Sequence, residues 1–162
     1  WENETPIPHF QSKWVIEHYL KDKARPMGWT VLRPVAFMDN LAPGFPTQVF
    51  MAAMRDTLGS KPNQWIATSD IGVFAKLAFQ SPKEYNHRAI GLAGDELTSA
   101  QLSQAFKNKT GFLKYMVAEL GLMINWFGSD GYKANIPELK KMHPGLLTLE
   151  EWIEKKSAFT TK

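Results

Sequence analysis

The chain has 162 residues, nineteen Lys and Arg against sixteen Asp and Glu (net charge +3), with 44% hydrophobic and 22% charged residues. That composition and length allow a sizeable core and exclude a disordered chain. The absence of cysteine excludes disulfides, thiolate metal ligands and a Cys nucleophile and suits a reducing compartment, and no apolar run reaches the roughly 18 residues of a membrane span.

The opening WENETPIP lacks an initiator Met and reads as a loop entering a helix, so a piece of a longer protein is the expectation. Pro8 stands before a helix that runs through Lys23, with Trp14, Tyr19 and Leu20 at near-helical spacing. Pro26 and Gly28 break it. WTVLRPV follows as a short buried strand, with Val31, Leu32 and Val35 around Arg33, ending at Pro34. AFMDNLAPGF reads as a loop. Pro46 suits the first turn of a helix reaching about Leu58, and Gly59 ends it. NQWIAT is a second strand. SDIGVFAKLAFQSP is a helix with Ser69 as N-cap and Val73, Phe74, Leu77 and Ala78 as its apolar stripe. HRAIGLAGD is a third strand. TSAQ at 98–101 and TLEE at 148–151 are capping boxes opening two more helices, and residues 114–127 form an apolar helix between them. Three strands separated by helices predict an α/β fold with parallel pairing.

Several polar residues have plain structural readings. Asp70 after Ser69 serves a helix start by capping and complementing its dipole. His143, before Pro144 and Gly145, belongs to a turn. His9, His18, His87 and His143 show no ligand spacing with carboxylates, so no metal site is predicted. The pairs Lys140-Lys141 and Lys155-Lys156 have acids nearby and read as solvated helix faces rather than a nucleic-acid stripe. Met123, Trp126, Phe127 and Tyr132 form either lobe core or an exposed protein-binding patch.

The stretches HFQSK, TVLRPVAFMDN, IATSDIGVFAKLAF and NWFGSDGYKANIPELKKMHPGLLTLEEWI together resemble the C-terminal half of the NmrA-like family, atypical members of the short-chain dehydrogenase/reductase superfamily. The resemblance implies a partial Rossmann-like fold, a doubly wound parallel sheet over residues 1–110 with a helix-rich C-terminal lobe over residues 111–162. The family's Gly-rich turn, which seats a pyrophosphate at a helix N-terminus, has no counterpart: Gly28, Gly44 and Gly59 stand outside that pattern. The direct run KTGFLKYM near residues 109–116 is shorter than the family's usual junction, which predicts a deletion there or a loop left out of the sequence.

The superfamily's dehydrogenases use Tyr-x-x-x-Lys, and this chain has His9-x-x-x-Lys13 at that place. The resemblance implies that Lys13 holds a nicotinamide ribose, while His9 reads as a helix-start histidine rather than a proton donor. Phe37, Met38, Asp39 and Asn40 match the family's nicotinamide-side loop, placed after a strand where doubly wound sheets bind ligands. The structural alternative makes Phe37 and Met38 core fillers and Asn40 a turn cap. The implied function is a NAD(P)-binding, redox-sensing regulator without the usual catalytic Tyr. It would act through a protein partner such as a transcription factor in the cytoplasm or also the nucleus, and would bind NADP or NAD only with the N-terminal half present. The alternatives are a NAD(P)H-dependent reductase of a small carbonyl or quinone, and a ligand-free interaction module. A homodimer stays open, and direct nucleic-acid or membrane contact is not expected.

Overall fold

Pro8 supplies a fixed φ at the first turn of α1 (Pro8–Lys23), where a missing N–H costs nothing. The helix ends at Ala24, whose N–H still donates to Leu20 O. These elements come from a computed structural model that describes residues 7–24, 27–42, 45–105 and 126–158. The helix read over residues 114–127, save its last two residues, and the junction at 109–116 lie outside the described residues.

Strand β1 (Thr30–Pro34) runs parallel to β4 (Arg88–Leu92) in one sheet. A second sheet holds β2 (Ala36–Phe37), β3 (Asn63–Ile66) and β5 (Asp95–Leu97), with β2 parallel and β5 antiparallel to β3. The described strands therefore number five in two sheets, and their pairing is mixed. The two additional strands escape pattern reading for a physical reason. Two residues cannot display an alternation, and Asp-Glu-Leu is polar for a strand.

Alternation along β1 sorts the layers. Arg33 reaches Glu17 of α1 on one face, while Thr30 and Leu32 line a groove with α3 (Thr68–Gln80) on the other. Helix α2 (Phe45–Leu58) has Pro46 in its first turn and stops at Gly59, whose φ of +58° is the left-handed conformation that glycine adopts without strain. A short α4 (Pro82–Tyr85) leads into β4, and α5 (Ser99–Ala105) follows β5.

The C-terminal part adds a helical turn over residues 126–129, α6 (Ile136–Met142) and α7 (Leu149–Lys155). Both predicted capping boxes form: Thr98 exchanges bonds with Gln101, and Thr148 with Glu151. Two apolar clusters result. One joins Ile7, Phe10, Met38, Leu41, Met54 and Trp65 to the C-terminal residues Trp126, Phe127, Leu149 and Trp152. The other packs Val35, Ile66, Phe74, Ile90 and Leu92 against Leu139 and Leu146. Tyr132 touches both. Trp126 and Phe127 are buried and stack edgewise or tilted around Tyr132, so these three belong to the core; Met123 lies outside the described residues.

Candidate functional site

The carboxyl end of β1 leads through Val35 and β2 into a single 3-10 turn, Met38–Asn40. Asp39 is exposed at this turn, and both of its carboxylate oxygens are engaged. Oδ2 accepts from the Thr68 backbone N–H at 2.8 Å, and Oδ1 from the Thr68 hydroxyl at 2.7 Å. The N-terminus of α3 is thus capped from another element. Ser69 makes no such bond: the residue preceding α3 is Ala67, and no side chain within the helix caps it. The expectation of a Ser69 cap is corrected, because a carboxylate delivered by the adjacent turn reaches the orphan N–H first.

Asp70 stands in the first turn of α3, where its charge complements the helix dipole as expected, but it does not cap the helix. It is 4% exposed, and its Oδ2 accepts from the Leu147 backbone N–H at 2.9 Å while Oδ1 lies 3.4 Å from His143 Nε2. Rather than capping its own helix, it ties α3 to the loop that enters α7. His143 sits in the predicted turn, edge-on to Phe74. Close by, a Cβ on Gly94 would stand 2.3 Å from Leu147 O, so the β4–β5 turn needs glycine there for close approach. Asp95 Oδ2 accepts from Leu149 N–H at 2.9 Å, a third tie at this place. None of these carried a sequence signal beyond a polar residue at the end of an apolar element.

The five predicted cofactor residues fall into two groups. The Met38 side chain is wholly buried in the core, which leaves its backbone as the part that can face a ligand. Phe37 is half-buried against the second cluster, as the core-filler alternative has it, and Asp39 is committed to Thr68. Asn40 and Lys13 are exposed. Ile7 and Phe10, in and just before the first turn of α1, share a cluster with Met38 and Leu41, so the start of α1 and the 38–41 turn occupy one end of the molecule. Lys13 follows Phe10 by one turn of that helix. His9 is exposed, its carbonyl accepting from the Ser12 hydroxyl at 2.7 Å and its ring edge-on to Phe10 at 4.3 Å.

Arg33, noted as the one charge inside an apolar strand, is half-buried and bidentate to Glu17, with Nε to Oε2 at 3.0 Å and Nη2 to Oε1 at 2.5 Å. Burial by itself raises the Glu17 pKa, but hydrogen bonds from Arg33 and Lys21 outweigh it and hold the carboxyl at about 2. This pair fixes α1, and with it Lys13, over β1. Among the described residues no three of His, Cys, Asp and Glu converge on a metal-sized site, and no helix is long and apolar enough to cross a membrane.

A family model described as the NmrA-like family matches residues 2–118. The chain belongs to the NmrA-like family. Solved structures share the fold. A mutant NmrA superposes with a TM-score of 0.68 at 17% identity, over 94% of this chain and 60% of its own. A nucleoside-diphosphate-sugar epimerase from Staphylococcus aureus gives 0.69 at 15% identity, over 96% and 61%. NmrA described as a negative transcriptional regulator in complex with NADP gives 0.63 at 19% identity, over 89% and 56%. This NmrA-like chain therefore spans about three fifths of the length of those proteins, and the resemblance in shape matches the partial α/β fold expected from its sequence.

Proposed function

We propose that this NmrA-like chain supplies the nicotinamide side of a dinucleotide site in a regulator that acts through a protein partner. The observation that carries the reading is the 38–40 turn. It lies at the carboxyl end of a parallel strand, is held to the start of α3 by Asp39, and shares its end of the molecule with the first turns of α1. The relative solved with NADP is a negative transcriptional regulator, which supports both the ligand class and the mode of action. The exposed Lys13 ammonium and the backbone of residues 37–40 fit the nicotinamide ribose and amide, with Asn40 at the margin. They offer no cradle for a pyrophosphate, so NADP or NAD would be held jointly with a Gly-rich βαβ half. When bound, the nicotinamide provides a hydride or a redox-dependent charge. This chain's own residues bind and orient that end.

His9 at the place of the superfamily's tyrosine favours a reader of redox state over a reductase, because imidazole replaces the phenolic proton donor. The test is a titration of NADP into the 162-residue chain and into a polypeptide that also carries the Gly-rich half. Binding is expected only in the second, and Lys13→Ala there is expected to weaken it by roughly tenfold or more, the loss of one charge-assisted hydrogen bond. Turnover of ketones or quinones with NADPH that disappears in Lys13→Ala would overturn the regulator reading.

A further inference from the structure

Between α6 and α7 runs a strap, residues 143–149, that two carboxylates hold down by its backbone. Asp70 Oδ2 accepts from Leu147 N–H and Asp95 Oδ2 from Leu149 N–H, both at 2.9 Å. His143 Nε2 adds a contact to Asp70 Oδ1 at 3.4 Å. Leu146 enters the second apolar cluster and Leu147 the first, while Pro144 and Gly145 are exposed at the tip. Gly94 lies against the strap so closely that an added Cβ would collide with Leu147 O.

Two carboxylates meet the first turn of α3. Asp39 arrives from the 38–40 turn and holds the Thr68 N–H and hydroxyl. Asp70, the third residue of the helix, is turned away from the helix start and into the strap. From the third helical position an acidic side chain can fold back onto the N–H groups of its own helix start, as Glu151 does in α7. Asp70 thus has two alternatives that exclude each other, the strap donors or the helix start. It is buried and cannot do without one of them, because an unpaired buried carboxylate is strongly destabilising.

We infer that the 143–149 strap regulates the candidate nicotinamide turn, with Asp70 as the positioning residue between them. With the strap closed, Asp70 is engaged by Leu147 and His143, and Asp39 has the start of α3 to itself. With the strap open, the Asp70 carboxylate folds back to the helix start and sets a second negative charge beside Asp39. Like charges at one helix end repel, and the 38–40 turn is loosened. Linkage makes the effect reciprocal: a dinucleotide held on the 38–40 turn closes the strap by the same factor by which closure tightens its binding. A bound nicotinamide is thereby signalled at the exposed Pro144–Gly145 tip, where a protein partner can read it. That last step rests on the proposed dinucleotide reading; the link between strap and turn does not.

The experiment opens the strap and follows amide hydrogen exchange without dinucleotide. Gly94→Ala, folded by circular dichroism, is expected to speed exchange about tenfold at Leu147 and about fivefold at Thr68, with the Ile90 amide unchanged. Asp70→Asn keeps an acceptor for Leu147 but carries no charge. Added to Gly94→Ala, it is expected to return the Thr68 amide to its parent rate, whereas mere loosening of the fold predicts a further rise. If Gly94→Ala does not fold, Asp95→Ala removes the Leu149 tie and opens the strap from its other end, with the same pattern expected. Leu147 exchange that rises while Thr68 keeps its parent rate overturns the inference. So does a Thr68 amide that stays fast once Asp70→Asn is added, and so does unchanged Leu147 exchange in both strap variants. In the polypeptide that also carries the Gly-rich half, Gly94→Ala is expected to weaken NADP about fivefold, and saturating NADP to slow Leu147 exchange by the same factor. No NADP binding by the parent there refutes the dinucleotide reading alone; NADP bound with Leu147 exchange unchanged refutes the regulation.

Discussion

Glu17 and Arg33 show how one residue pair orients a helix. Two hydrogen bonds from the guanidinium, with Lys21 alongside, compensate for a carboxylate that is 6% exposed. Glu17→Gln leaves Arg33 half-buried without its counter-charge and is expected to cost about 3 kcal/mol, measured by urea denaturation. Because the folded carboxyl titrates at about 2, below its ordinary value of 4.5, the pair's contribution is present above pH 4.5 and is lost as pH falls toward 2. Stability measured from pH 6 down to pH 3 is expected to fall more steeply in the parent than in Glu17→Gln. Equal slopes would mean that the pair contributes nothing through ionisation. Arg33 was visible in the sequence as a charge among Val31, Leu32 and Val35; its partner, sixteen residues back on a helix, was not.

At the scale of elements, the N-terminus of α3 gathers two loops. Asp39 caps it from the 38–40 turn, and Asp70 in its first turn reaches Leu147 beyond α6. Asp39→Ala removes a cap and is expected to destabilise the fold by about 1 kcal/mol, read from the midpoint of chemical denaturation. The same variant frees the candidate nicotinamide turn from α3, so a midpoint unchanged within 0.3 kcal/mol, roughly the limit of such comparisons, would show that the cap does not hold that turn in solution. The two capping boxes are legible in the sequence because each closes within four residues. The α3 cap is not legible there: Ser69 stands at the local cap position, and nothing nearby in the sequence announces the Asp39 carboxylate arriving from a different element.

Across the whole molecule, Tyr132 packs against both apolar clusters, between Trp126 and Phe127. Burial pushes its phenol well above the ordinary value of 10, and burial pushes Tyr85 upward as well. A raised folded pKa means that the stability linked to these groups is intact below pH 10 and declines as pH rises beyond it, where the unfolded chain ionises first. An absorbance titration near 295 nm is expected to show Tyr132 and Tyr85 ionising later than an ordinary tyrosine and together with loss of structure. Full ionisation of all four tyrosines near pH 10 with the fold intact would contradict this packing.

The sequence by itself determined the elements that rest on local chemistry. These are α1 after Pro8, β1 ending at Pro34, α2 stopped by Gly59, the two boxed helices and the α/β class, each set by propensity, capping or periodicity within a few residues. Its matching stretches also carried the NmrA-like assignment. Only the tertiary structure decided that Met38 is core, that Asp39 serves α3, that Asp70 holds the Leu147 backbone, and that a two-residue β2 and a polar β5 join a mixed sheet. Those outcomes depend on contacts between residues far apart in the chain, and no local pattern in the sequence encodes where a distant hydrogen-bond partner will stand.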